Sequence, residues 1–99
     1  MSEHSSSYPP YQMETALIPA GVDLTLAGRR TALIEQYRSG ETDAAATYRN
    51  LEHLYWSTQP HADDITRGYL RETAYSFPVE ANMDEDEVDA IFVKVQNEY

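Results

Sequence analysis

The sequence has 99 residues and no cysteine, and its 17 acidic and 7 basic residues give a formal net charge of −10. This length predicts a single domain, and the lack of cysteine excludes disulfides, thiolate metal ligands and cysteine nucleophiles. The negative charge disfavours general binding to phosphate backbones, so no direct nucleic-acid partner is expected.

The charge is unevenly distributed. Residues 1–24 have three acids and no base, residues 25–58 have four of each, and residues 59–99 have ten acids and three bases. The sequence starts without a signal-peptide pattern, and no apolar run approaches the roughly 18 residues that a membrane helix needs. We therefore expect a cytoplasmic protein without a membrane partner.

Residues 1–20 predict an extended or disordered arm. The first twelve are rich in serine, proline and tyrosine without periodicity, and such a segment buries too little apolar surface to offset its ordering entropy. Ala16 to Ile18 precede Pro19, which disfavours helical geometry at the preceding residue. Tyr8 to Tyr11 resemble a polyproline-type ligand, but we favour an inert tail, because short proline-rich motifs match by chance. The apolar arm residues would lie on the domain or on a second copy of the chain.

Residues 21–99 predict an all-α domain, a small antiparallel bundle of four helices. The first helix is expected from about Leu24 to Ser39, capped by Asp23 or Thr25 and ended by Gly40. Its apolar positions share one face: Leu26, Ala27, Leu33, Ile34 and Tyr37.

Arg30 falls in the middle of that face. We expect its aliphatic stem to pack and its charged head to reach water. The alternative is a carboxylate partner from another helix or protein, because burying an unpaired guanidinium is costly.

The second predicted helix, from the proposed N-cap Thr42 to Ser57, is the most clearly amphipathic stretch and is expected at the centre of the bundle. One face carries Ala44, Tyr48, Leu51 and Tyr55, and the other carries Arg49, Asn50, Glu52 and His53. Trp56 lies about 120° from the apolar stripe. We expect it to pack beneath the turn at 58–60, whereas an exposed tryptophan would be a partner-binding hot spot.

The third helix is predicted over about 62–76, with Pro78 ending it. Its inward positions are Ile65, Tyr69, Leu70, Thr73 and Phe77. Arg67, Arg71 and Tyr75 form an outward row at successive four-residue spacings. Arginine and tyrosine are enriched at interface hot spots, so this row is a candidate partner-binding site. Alternatively, the arginines pair with nearby acids on the same helix surface.

The last helix has the best-defined predicted start. Asp84 is the expected N-cap with Glu87 in a capping-box variant, and Met83 and Val88 match a hydrophobic staple. The expected buried positions are Val88, Ile91, Phe92, Val95 and Tyr99.

The acidic run Asp84, Glu85, Asp86 and Glu87 has two interpretations. Acids in the first turn stabilise a helix through its dipole. Alternatively, the run imitates a phosphate backbone and docks on a basic groove of a nucleic-acid-handling protein. An EF-hand is excluded because the glycine at the sixth position of the loop and the correctly spaced glutamate are lacking.

No enzyme, metal or cofactor site is predicted. The sequence has no glycine-rich phosphate loop, nucleophile elbow or HExxH motif. The spacing of His53, His61, Asp63 and Asp64 matches no established metal signature. Gly28 and Gly68 lie inside predicted helices, where each either costs stability or marks a close helix crossing.

These features favour a small acidic protein that binds a larger protein with a basic surface and modulates it without catalysis. Anti-defence proteins of phages or plasmids, immunity proteins and antitoxins share this size and charge, which is an analogy only. The candidate anchors are Trp56, Arg67, Arg71, Tyr75 and the acidic run. The alternative is a non-catalytic accessory subunit of a larger enzyme or assembly, and a homodimer is compatible with either function.

Overall fold

The computed structural model describes residues 18–99, and this part of the chain contains four α-helices and no strand. The helices are α1 (Leu24–Arg38), α2 (Ala44–Thr58), α3 (Asp64–Glu80) and α4 (Glu85–Gln96). The all-α prediction is confirmed. Of the arm predicted over residues 1–20, residues 1–17 lie outside the described part. None of the helices within 18–99 is both long and apolar enough to cross a bilayer.

Helix α2 lies at the centre, as predicted, because it packs against each of the other three helices. The main buried cluster joins three helices through Ile34, Tyr48, Leu51, Ala74 and Phe77. The ring of Tyr37 meets Phe77 edge-on at a centroid distance of 5.1 Å, and Val95 of α4 is fully buried. The antiparallel arrangement expected from the short linkers stays a prediction.

Every helix begins directly after an aspartate whose side chain accepts backbone N–H groups of the first turn; the four caps are Asp23, Asp43, Asp63 and Asp84. The predicted cap Thr42 is wrong by one residue. Asp43 accepts from the Ala46 N–H at 2.8 Å, so the Thr42 hydroxyl is left to contact Thr47 Oγ1 at 2.8 Å.

The helix ends show one confirmed prediction and one error. Gly40 takes φ +86° just past α1, as predicted. Pro78 does not end α3, which continues to Glu80. A proline in the last turn forgoes only one intrahelical hydrogen bond, and its buried ring packs in the domain. After Glu80 the chain leaves the helix at Asn82, which has φ 59°. The Met83 N–H donates to the Pro78 carbonyl at 2.9 Å across this turn.

Two predicted inward residues are exposed instead, Ile65 and Tyr99. Ile65 belongs to the first turn of α3 and Tyr99 lies past the end of α4, where fewer neighbouring helices cover a side chain. The helical glycines Gly28 and Gly68 have no atom within 4 Å of a Cβ built on them. Neither glycine therefore marks a close helix crossing.

The prediction that the Arg30 head reaches water is also wrong, since the residue is only 1% exposed. Two residues of α3 face it. Its Nε donates a hydrogen bond to Thr73 Oγ1, and its guanidinium lies 4.9 Å from the centroid of the Tyr69 ring. Helix α3 thus provides both an acceptor and an aromatic face for the buried cation.

Candidate protein-binding groove

An open groove of about 850 Å³ runs between α2, α3 and α4. We call it the aromatic groove, since five of its lining residues are aromatic. Helix α2 contributes Tyr48, Glu52, Tyr55 and Trp56; α3 contributes Arg71, Ala74, Tyr75, Pro78 and Val79; the α3–α4 turn contributes Asn82 and Met83; and α4 contributes Glu85, Val88, Asp89 and Phe92.

Glu52 is the buried acid of this groove. Its predicted position on the polar face of α2 is wrong, because only 5% of the residue is exposed. The indole Nε1–H of Trp56 donates to Glu52 Oε1 at 3.0 Å. Burial raises the pKa of Glu52, while the neighbouring Tyr48 hydroxyl and the Trp56 indole N–H partly oppose the rise. The groove therefore contains a carboxyl group that is costly to ionise.

Tyr48 is also buried and lies one helical turn before Glu52 on α2. Its own burial, the hydrogen bond to Glu52 and the charges of Glu52 and Asp89 all raise the pKa of the Tyr48 hydroxyl well above its ordinary value. Tyr48 therefore stays a neutral hydrogen-bond donor at neutral pH.

Aromatic rings form one wall of the groove. Trp56 is half-buried, with its ring 5.3 Å from that of Tyr55 and 6.3 Å from that of Phe92. Trp56 thus packs against α4, which the sequence did not predict, because α4 packs against α2. The packing expected beneath the turn at 58–60 stays a prediction.

The rim on α3 is exposed and partly apolar. Tyr75 is 81% exposed and Val79 is 80% exposed, and one helical turn separates them. Arg71 lies on the same rim, is exposed and lines the groove. The predicted outward positions of Arg71 and Tyr75 agree with this exposure.

Arg67, the first residue of the predicted row, lies outside this groove. Its guanidinium donates to the carbonyl oxygens of Ala62 at 2.8 Å and Gln59 at 3.3 Å, and it forms an ion pair with Asp64. These contacts match the alternative weighed for the row, pairing with a nearby acid. Arg67 therefore stabilises the turn between α2 and α3 through these hydrogen bonds.

The four acids of the acidic run lie in different environments. Asp84 accepts the N–H groups of Asp86 and Glu87 at 3.1 and 3.3 Å, which is an N-cap role. Glu85 lines the groove, whereas Asp86 and Glu87 are exposed outside it. Of the four acids, Glu85 is the one whose side chain reaches the candidate site.

Three of the four residues weighed as metal ligands, His53, Asp63 and Asp64, contact other partners instead. His53 Nδ1 lies 3.0 Å from the Tyr99 hydroxyl and its Nε2 lies 3.4 Å from Glu98, beside a second cavity of about 400 Å³. Asp63 caps α3 and Asp64 pairs with Arg67. Within residues 18–99, no group of three or more histidine and acidic side chains is placed to hold a metal ion.

Sequence reasoning found Trp56, Arg71, Tyr75 and Glu85 but missed Glu52. A signal for it was present, because Tyr48, Glu52 and Trp56 follow one another at four-residue steps and so stack along one side of a helix. A carboxylate between two aromatic hydrogen-bond donors is suited to burial.

No protein-family model matches the chain, and neither curated proteins nor solved structures show significant similarity to it. Functional inference therefore rests on the chemistry of the aromatic groove.

Proposed function

We propose that this protein binds another protein through the aromatic groove and modulates it without performing a reaction. The observation that carries the proposal is that four candidate anchors line one groove: Trp56, Arg71, Tyr75 and Glu85. Tryptophan, tyrosine and arginine dominate the energetic centres of protein interfaces.

The exposed rim supports the same function. Tyr75 and Val79 keep about four-fifths of their surface in water, and they border a groove whose wall is aromatic. Covering such side chains with a partner would remove apolar surface from water, which is the main favourable contribution to most protein association.

The net charge of −10 supports a partner with a basic surface. Opposite charges accelerate diffusional encounter and suppress binding of acidic proteins. An inhibitor or regulator of a nucleic-acid-handling protein, of the anti-defence, immunity or antitoxin type, fits this charge. The same charge opposes self-association, so we favour a heteromeric complex over a homodimer.

The test is affinity capture with the full chain in cells that produce it, comparing three proteins. These are the wild type, the double variant Tyr75→Ser/Val79→Ser and the control Leu24→Ser. Leu24 is 74% exposed on α1 and does not line the groove, so the control removes a similar exposed apolar side chain elsewhere.

We expect the wild type and Leu24→Ser to retain the same partner and the double variant to lose it. Retention of that partner by all three proteins would contradict the proposal. Surface substitutions of this kind usually change stability by less than about 0.5 kcal/mol, and a thermal melt checks that both variants are folded.

The alternative function, an accessory subunit, predicts a different response to salt. An electrostatically steered inhibitor associates more slowly as ionic strength rises, whereas a subunit held mainly by apolar burial responds little. A second experiment tests phosphate mimicry by replacing all four acids at 84–87 with their amides in one variant. A mimic would lose affinity for its basic target.

A further inference from the structure

Resting on the proposed function, we propose that the aromatic groove takes an arginine side chain of the partner, with Glu52 as the counter-ion. The proposal names the chemistry that the groove recognises, a planar guanidinium. It assigns to Glu52 a ligand-binding role that the sequence analysis did not give it.

Glu52 is a buried carboxyl group without a cationic partner. It lines the groove yet is almost entirely buried, and within residues 18–99 no cation forms an ion pair with it. The Trp56 indole supplies one hydrogen bond at 3.0 Å. An ionised carboxylate accepts about four, so acceptor capacity is left for a ligand.

The lining of the groove is negatively charged. Glu52, Glu85 and Asp89 provide three carboxyl groups, against the single guanidinium of Arg71. With all of them ionised, the lining carries a net charge of −2. A cation entering the groove is therefore attracted by the lining as well as by the whole protein.

The aromatic wall favours arginine over lysine. A guanidinium stacks on aromatic faces, is weakly hydrated and meets a carboxylate through two parallel hydrogen bonds. Tyr55, Trp56 and Phe92 line the same groove as Glu52. A lysine ammonium is a strongly hydrated point charge and gains less from this combination.

Binding of a cation by Glu52 must be linked to pH. Burial raises the pKa of Glu52, and a bound guanidinium favours its ionised form. Affinity should therefore rise as pH increases through the range in which Glu52 ionises, and fall as it is protonated. The other charged or titratable groups lining the groove are Tyr48 and Tyr55 on α2, Arg71 and Tyr75 on α3, and Glu85 and Asp89 on α4.

Two of those groups, Glu85 and Asp89, are also carboxyl groups, so a pH effect alone would not identify Glu52. The variants Glu85→Gln and Asp89→Asn remove each exposed carboxylate separately. The pH dependence should persist in both variants and disappear in Glu52→Gln, whose amide oxygen still accepts from Trp56.

The probe is an acetylated Gly-Ser-Arg-Ser-Gly amide peptide, compared with the same peptide carrying citrulline, a neutral isostere of arginine, or lysine. The readout is the indole N–H resonance of Trp56, the single tryptophan of the sequence, which donates directly to Glu52. Titrations are made at about pH 7 and about pH 5.

We expect the arginine peptide to bind about tenfold more tightly than the citrulline peptide, as one charge-assisted hydrogen-bonded contact would give. Glu52→Gln should lower this preference and leave only the attraction of the other carboxylates, Glu85 and Asp89. Glu72→Gln, which removes an exposed carboxylate of α3 outside the groove, should leave the preference unchanged. A thermal melt of each variant excludes unfolding as the cause.

Three results would overturn the inference: no saturable shift with the arginine peptide up to about 20 mM, equal affinity for arginine and citrulline, or an unchanged preference in Glu52→Gln. Tighter binding of the lysine peptide would overturn the assignment to a guanidinium. None of these outcomes removes the proposed function, which fails only if the Tyr75→Ser/Val79→Ser protein keeps the partner.

Discussion

The Nε of Arg30 on α1 donates a hydrogen bond to the Oγ1 of Thr73 on α3 inside the domain. The guanidinium lies at the same time over the ring of Tyr69, one turn earlier on α3. A buried cation thus connects the first and third helices, between which packing is less extensive than between α2 and either of them.

Replacing Arg30 with alanine should destabilise the domain by about 2–4 kcal/mol, because it removes a charge-assisted hydrogen bond and leaves a cavity. Urea unfolding measures the loss. The neighbouring Arg29 is exposed, so Arg29→Ala is the matched control and should change stability by less than about 0.5 kcal/mol. If Arg30→Ala and Arg29→Ala changed the free energy of unfolding equally, the buried contacts of Arg30 would contribute nothing to stability.

Glu52→Gln should make the protein more stable at neutral pH. Burial raises the pKa of Glu52 in the folded state above its ordinary value of 4.5, so the folded state binds more protons than the unfolded state. The stability that this group contributes is present below the ordinary value and is lost as pH rises through the folded-state pKa.

Urea unfolding of wild type and Glu52→Gln at several pH values between about 4 and 8 tests this sign. The two free energies of unfolding should diverge as pH increases, with the variant above the wild type. The pKa of Asp63 is lowered mainly by the hydrogen bond from the Thr66 N–H, so its contribution to stability is lost as pH falls. Both proteins contain Asp63, so it does not affect the difference between them. Glu72→Gln removes one exposed negative charge and so measures the effect of lowering the net charge alone. If Glu52→Gln were only as stable as Glu72→Gln, the prediction would be refuted.

Asp84→Ala should destabilise α4 by about 1 kcal/mol, because the cap accepts N–H groups that have no partner within the helix. Asp84→Asn should cost only a few tenths of a kcal/mol, since asparagine caps almost as well. Chemical denaturation separates the two variants. If both lost the same stability, the charge of Asp84 rather than its capping geometry would be what the helix requires.

Gly40 and Gly68 should respond oppositely to alanine. Gly40 has φ +86°, a conformation that costs an alanine roughly 1–2 kcal/mol. Gly68 lies inside α3 with open space around it, so alanine should stabilise the helix by up to about 1 kcal/mol. Thermal melts of the two variants should shift in opposite directions, and a shared direction would contradict this account.

The sequence by itself determined the four helices and most of their faces. Capping aspartates, the glycine after α1 and the four-residue apolar spacing are local signals, because each acts within one or two turns of the chain. The central place of α2 also followed from the sequence, since the most amphipathic mid-chain helix has neighbours on both sides.

Tertiary structure alone decided the environments of Arg30, Glu52 and Trp56. Each is a polar or amphipathic side chain at a position where helical periodicity allows either exposure or burial, and partners on another helix decide between them. Thr73 and Tyr69 made burial of Arg30 favourable, and Phe92 gave Trp56 its packing. The groove around Glu52 exists only because α3 and α4 pack beside the same side of α2, a relationship that no local spacing encodes.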